Sequence, residues 1–505
     1  MNSMQSLRDI LFNNPRIASE RKAIMFDQRW SSFGELQARV GAVGAALSRM
    51  GIERGDRVAV LLHNRPEFIE CYFAVTGIGA IFVPLNWRLH AAEHAALLAD
   101  AEPKLLISER TYRASFDGLR REVRSLRQIV VVDDCGGASD SYEAWVGPAG
   151  AMPDTVGLDR GTEAAIVYTS GTTSRPKGVV LTHGNYIADF ANVASVVEPD
   201  QNAVNLQISP LYHAACIHSF FHLAYGAGTV LIEKFDAGET LRLIEQERAT
   251  YFFAAPTALY QMMDHPDFAK RDHSSLKAIS YGAAGISKAR LDEAARVFGP
   301  VLLHAYGMTE ATSHASILRS ADHAVALGSI GKGLGRSEIR VVDSSGENCR
   351  PGEIGQIVIR GPNVMKGYWR RPDATAEAIR GGWLHSGDLA RVDDNGFVYV
   401  VDRLKDMVIS GGVNLYPREI EDIISAHPAV AEVAVYGVPD EHWGEALAAA
   451  VALRVGMIVE PQDIVQFCRD RIGGYKVPKR IRIVAALPRN ASGKILKTEL
   501  RALNE

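Results

Sequence analysis

From Asp56 onward, short apolar runs alternate with stretches of helical period: RVAVLLH, then PEFIECYFAVTGIGA, IFVPLN, AAEHAALLADA and KLLIS. Strands separated by helices must run parallel with the helices laid on the sheet faces, so this rhythm restricts the chain to a mainly parallel α/β architecture. The pattern recurs from Gly228, through TVLIE, GETLRLIEQERA, YFFAAP, KAISYGAA and VLLHAYG. After Ser337 the character changes to β, with EIRVVD, GEIGQIVIRG and GFVYVVDR divided by Gly, Asp and Asn turn signals. Beyond Asp402 a smaller α+β unit is expected, with LYPREIEDIISAHPAV and PQDIVQFCRDRIGGY as helices and AEVAVYGVP and LAAAVAL as strands. The expected division is a large N-terminal domain, 1–402, of parallel sheets plus a β-rich subdomain, and a small domain, 403–505.

Within the first domain, YTSGTTSRPKG (Tyr168 to Gly178) follows the apolar run AAIVY and precedes a strand end and a helix. Alternating Ser, Thr and Gly leave backbone N–H groups and hydroxyls free to surround phosphate oxygens, and Lys177 adds a point charge. It is not a Walker A loop, which needs Gly-x-x-x-x-Gly-Lys-Ser/Thr opening a helix. Here Pro176, five residues after Gly171, has no N–H to give.

Composition narrows the partners. With 55 basic and 59 acidic residues the formal charge is −4, which argues against a nucleic-acid partner. The five cysteines (Cys71, Cys135, Cys216, Cys349 and Cys468) are scattered without Cys-x-x-Cys spacing, as in reduced cytoplasmic proteins. The N-terminal stretch lacks a signal-peptide core. Cys71 to Leu85, the longest nearly apolar run, is interrupted by Thr76, glycines and Pro84 and reads as a buried helix entering a buried strand. No transmembrane segment is expected.

The phosphate-type loop and six further blocks, in order, resemble the adenylate-forming superfamily of acyl-CoA synthetases, coumarate-CoA ligases, luciferases and peptide-synthetase adenylation domains. These are SPLYH (Ser209 to His213), YGMTE (Tyr306 to Glu310), SGD (Ser386 to Asp388), DRLKD (Asp402 to Asp406), SGGVNLYPREIE (Ser410 to Glu421) and PRNASGKILK (Pro488 to Lys497). The resemblance spans nearly the whole chain and implies an AMP-forming carboxylate:CoA ligase. An acid attacks ATP to give acyl-AMP and pyrophosphate, and CoA then takes the acyl group. Such a site offsets anionic charge with cations and backbone donors rather than using a strong base.

Carried over residue by residue, the resemblance assigns Thr169, Ser170, Gly171, Thr172, Thr173 and Lys177 to the phosphates. Gly282, Ala283 and Ala284 fall to the ATP/AMP site, Tyr306 and Gly307 to the adenine, Thr309 to the α-phosphate, and Glu310 to Mg²⁺. Asp388 falls to the ribose hydroxyls, Arg403 to the ribose or a phosphate, Lys494 to the attacking carboxylate and α-phosphate, and Lys405 to a hinge. Ser410, Gly411 and Gly412 would face CoA. His213 would gate an acyl pocket that also holds Ala214, Ile217, His218, Phe221, Gly285 and His314. The implied co-substrates are ATP, with Mg²⁺, and coenzyme A. Ser174, Gly285 and Val413 depart from the family pattern. The last 37 residues carry ten Lys or Arg against three acids, a bias that fits a small domain facing phosphates. The small, apolar pocket positions contain no Arg or Lys, which disfavours a dicarboxylate and leads to a medium- or long-chain fatty acid. An aryl acid, a stand-alone carrier-protein adenylating enzyme, a luciferase and a silent nucleotide-binding protein stand as alternatives. Peripheral membrane contact and a homodimer both stay open.

Overall fold

The structure is a computed structural model that describes residues 3–116, 119–133, 141–148, 150–155, 157–169, 176–198, 200–213, 215–284, 286, 288–489 and 495–502. Its α/β fold is organised on four sheets. The first has the spatial order Gly367–Tyr368, Lys177–Thr182, Glu163–Thr169, Ile81–Pro84, Arg57–Leu61, Leu105–Ser108 and Gln128–Val131. The five strands from Glu163–Thr169 outward are parallel, as the alternating rhythm requires. A second, nine-stranded sheet is parallel through its centre, from Lys22–Phe26 to Leu302–Tyr306. The third, antiparallel, contains Glu338–Val342, Ile354–Arg360, Trp383–Val392 and Val398–Arg403. The fourth pairs Val430–Asp440 with Gly444–Leu453 and adds Arg480–Val484 in parallel.

Local signals explain several of these elements. Helix Phe33–Arg49 starts at Ser32, whose hydroxyl accepts the Glu35 N–H while Glu35 reaches back to the Ser32 N–H. Helix His183–Ala194 starts the same way through Thr182 and Asn185. Helix Pro66–Gly77 is buried from Phe68 to its end and turns at Gly79 (φ +81°) into the buried strand Ile81–Pro84, as expected for the apolar run. Asn64 joins the two parallel sheets: its Nδ2 donates to the Ser209 and Ile232 carbonyls, and its Oδ1 accepts the Leu211 N–H.

The phosphate-type loop joins the strands Glu163–Thr169 and Lys177–Thr182, which pair antiparallel, and the chain then enters a helix, in the order expected. One expectation changes. The two helices expected in the small domain are shorter, Pro417–Ser425 and Pro461–Arg469, the first stopping ahead of Pro428. Trp383–Val392 is one ten-residue strand although His-Ser-Gly-Asp at its centre has the composition of a turn, because pairing on both sides overrides local propensity. Cys71, Cys216, Cys349 and Cys468 are free thiols. Among the described residues no helix is long and apolar enough to cross a membrane.

Candidate functional site

The site is organised around the turn Tyr306–His314, which leaves the C-terminal end of strand Leu302–Tyr306. Gly307 has no alternative there: a Cβ would lie 1.6 Å from the Ser313 carbonyl oxygen. The return passes through Thr312 (φ +56°) and Ser313 (φ +99°), a left-handed path that non-glycine residues take only when their surroundings enforce it. Asn363 enforces it, with Nδ2 donating to the Ala311 and His314 carbonyls while Thr312 Oγ1 donates to the Asn363 carbonyl. Met365 N donates to the Glu310 carbonyl at 2.8 Å. Segment Gly361–Met365 of the β-rich region thus clamps the turn. Nothing in the sequence marks Asn363, because its partners are non-local backbone carbonyls.

The Tyr306 hydroxyl donates to Asp388 Oδ2 at 2.7 Å, and Arg403 Nε lies 3.5 Å from the other carboxylate oxygen. Burial, followed by the adjacent Asp388 charge, holds the Tyr306 phenol well above its ordinary pKa, so it stays a donor. Asp388 and Arg403 face each other across paired strands. Nearby, Gly282 ends its strand where a Cβ would meet the Ala305 carbonyl at 2.1 Å. Ala283 follows at φ +65°, and Ala283 and Ala284 are exposed. The structure therefore brings Tyr306, Asp388 and Arg403 into direct contact and leaves Ala283 and Ala284 free on a strand end.

On the hairpin, Thr169 Oγ1 donates to the Lys177 carbonyl at 3.5 Å, and Lys177 Nζ lies 5.0 Å from the Tyr368 ring centre. The Tyr368 hydroxyl donates to Glu310 Oε1 at 2.9 Å, linking the lysine-bearing hairpin to the acidic end of the turn. Glu310 Oε2 has no partner among the described residues. A hard oxygen donor, partly exposed beside a phosphate-type hairpin, fits Mg²⁺. Ser170, Gly171, Thr172, Thr173 and Ser174 lie outside the described residues, as do Ala214, Gly285 and Lys494. Elsewhere His63, Glu109 and Glu233 bring ligand atoms within 4.8 Å of one another. His63 Nδ1 is 2.6 Å from Glu109 and Arg65 Nη1 3.9 Å from the same carboxylate, so that charge already has partners and we assign no metal there.

His213 and Thr309 line a cavity with Tyr186, Tyr212, Cys216 and Ile217. Its open volume is about 10 Å³, room for one water molecule. Burial pushes the His213 pKa down, keeping the ring neutral at pH 7. Every residue of the following helix, Cys216–Ala224, is buried, including Ile217, His218 and Phe221. Past His213, His218 meets His314 edge to face at 5.1 Å and stacks on Phe253 at 4.8 Å. His314 is held by Asp189, which accepts both its backbone N–H and Nδ1 at 3.0 Å. Asp189 was also missed; it is an acid within the largely apolar run IADFANV, and burial raises its pKa while His314 opposes the rise.

In the smaller unit, Lys405 is exposed in the turn after Arg403, and Asp402 accepts the Arg403 and Arg418 N–H groups. Ser410, Gly411 and Gly412 connect strands Val408–Ser410 and Val413–Leu415, with Gly411 at φ +56° and Gly412 at φ +81°. Gly411 N donates to the Trp443 carbonyl, and a Cβ on Gly411 would meet the Trp443 ring at 2.6 Å. Val413 beside them is exposed.

Residues 12–369 match the AMP-binding enzyme family and residues 419–494 the AMP-binding enzyme C-terminal domain. The chain is 40% identical over 475 residues to a feruloyl-CoA synthase of Amycolatopsis, covering 93% of each. It is 36% identical to an indoleacetate–CoA ligase of Aromatoleum aromaticum, covering 96% of this chain and 95% of that one. Among solved structures, ATP-bound MatB from Rhodopseudomonas palustris superposes with a TM-score of 0.92 at 31% identity, covering 99% of both chains. The chain belongs to the AMP-binding enzyme family, as an AMP-forming acid–thiol ligase.

Proposed function

We propose that this ligase activates a compact, ring-bearing carboxylic acid with ATP and passes the acyl group to CoA. The observation that carries this is the acyl side of the turn. Among the described residues it presents a cavity of about 10 Å³, and beyond it the buried helix Cys216–Ala224 carries the His218–His314–Phe253 cluster. A flat ring needs side chains such as Ile217 and Cys216 to shift, whereas an extended alkyl chain must displace the cluster behind them. The relatives named for feruloyl and indoleacetate substrates support the same choice.

In this scheme Asp388 accepts the ribose hydroxyls, Tyr306 and Gly307 border the adenine, and Lys177 and the hairpin hold the leaving phosphates. Thr309 touches the α-phosphate. Mg²⁺ held by Glu310 would neutralise phosphate charge. Lys494 bridges the attacking carboxylate and the α-phosphate as a long-reach point charge. Taking the domain division at 402/403, rotation about Lys405 then presents Ser410–Gly412, whose glycines let a thiol pass close to backbone. Dependence on ATP and CoA makes the cytoplasm the expected compartment.

Pyrophosphate release from acetate to dodecanoate, benzoates and cinnamates tests the acid. Cinnamates should exceed every aliphatic acid in kcat/KM. A steady rise of roughly 0.8 kcal/mol per methylene up to long chains would instead establish the second reading, a fatty acid, which the apolar Ile217 and Phe221 favour. Lys494→Ala should lose adenylation by about 10²-fold yet still form thioester from supplied acyl-AMP. Equal loss in both half-reactions would reject alternation of the small domain.

A further inference from the structure

His218 sits one turn into helix Cys216–Ala224 with 1% of its surface exposed. Its Nδ1 is 2.8 Å from the Tyr251 hydroxyl, and the ring is fixed between Phe253, stacked at an interplanar angle of 14°, and the edge-on His314. Its Nε2 is fully buried and has no hydrogen-bond partner among the described residues. Leaving such a nitrogen unpaired is costly, and a ring held on three sides cannot turn it away. A neutral imidazole suits this place, because burial and the neighbouring imidazoles hold the His218 pKa well below its ordinary value. His314, whose Nδ1 is committed to Asp189, packs edge-on against the His218 ring. One residue past the cavity-lining Ile217, the helix therefore holds a buried polar atom fixed in place.

We propose that His218 Nε2 is a specificity determinant that hydrogen-bonds a hydroxyl group at the end of the substrate acid remote from its carboxyl. Resting on the ring-acid reading above, this makes the substrate a hydroxylated aryl acid. Tyr251 sets which imidazole nitrogen carries the proton, and a hydroxyl can serve as donor or acceptor to either tautomer. A site built around such a bond rejects the analogue that lacks the hydroxyl, because the nitrogen is then buried unpaired beside it.

The test is the ratio of kcat/KM for 4-hydroxycinnamate over cinnamate, and for 8-hydroxyoctanoate over octanoate, followed by pyrophosphate release. The wild-type enzyme should favour 4-hydroxycinnamate by about 30-fold, the scale of one buried hydrogen bond. His218→Phe, which keeps a ring against Phe253, should bring that ratio to within about threefold of unity, and His218→Gln should retain part of it. A wild-type ratio near one overturns the inference without need of any folded variant, as does a ratio that survives in His218→Phe. Cinnamates preferred over octanoate with no effect of the hydroxyl would sink this inference and leave the ring-acid reading standing. If both aliphatic acids win but 8-hydroxyoctanoate exceeds octanoate in a His218-dependent way, the ring-acid reading falls and hydroxyl recognition by His218 is upheld.

Discussion

On the side proposed for the nucleotide, the turn Tyr306–His314 meets groups whose hydrogen bonds are already made: Tyr306 to Asp388, Tyr368 to Glu310, Asn363 to two carbonyls. On the side proposed for the acid, the same turn meets a cavity of about 10 Å³ and an imidazole nitrogen without a hydrogen-bond partner among the described residues. The first side is preorganised before any ligand arrives, and its positions are fixed by backbone approach. The second is fixed by side-chain packing and, on the proposal above, would be completed by the substrate. Changes that move backbone should therefore cost much on the first side, whereas changes on the second should alter selectivity or acid tolerance.

The largest effect is expected from Gly307→Ala. A methyl 1.6 Å from the Ser313 oxygen forces the turn to move, and displacement by about 1 Å costs 10² or more in rate. We expect roughly 10³-fold slower pyrophosphate release, and a loss under tenfold would show that the turn is less rigid than described. Asp388→Ala should come next, raising the ATP KM about 10²-fold through loss of charge-assisted bonds while the fold persists. An unchanged ATP KM would remove Asp388 from ribose binding and break the contrast at its centre.

Acid should act on the other side. Burial lowers the folded-state pKa of His222 to about 4 and that of His218 well below the usual value, so the native protein binds fewer protons than the unfolded chain. Their contribution is intact above about pH 6.5 and drains away as pH falls toward 4. By pH 5.5 the pair should cost roughly 3 kcal/mol, visible as a fall in the urea midpoint relative to pH 7.5. His222→Phe should flatten that fall, and an unaltered pH profile would mean the ring is not held neutral. Smallest of all, Ala283→Gly relieves a φ of +65° on an exposed strand end and should change stability by less than about 1 kcal/mol, read from thermal melts. A larger change would place Ala283 within the rigid side.

The same contrast explains what could be foreseen. The parallel sheets were legible because alternating apolar runs leave few alternatives, whereas the residues proposed for the nucleotide were named only through the family motifs that contain them. Tyr306, Asp388 and Arg403, assigned separately, meet in one contact. Asn363, Tyr368 and Asp189 could not be foreseen, since each works through partners dozens of residues away. Strand Trp383–Val392 was hidden by its own polar centre, the very residues that place Asp388. His218 was visible as a pocket residue, but its unpaired nitrogen depends on Tyr251, Phe253 and His314 arriving from three other segments.

The clamp formed by Gly361–Met365 carries a consequence for genetics. Asn363 and Met365 hold the backbone that positions Thr309 and Glu310, yet their recorded bonds run to protein rather than toward the hairpin. A selection for alleles defective in ATP use should recover lesions in this segment alongside those in the motifs. Suppressors of such alleles should map to Asn185, whose side chain donates to the Pro362 and Val364 carbonyls from the far side of the clamp.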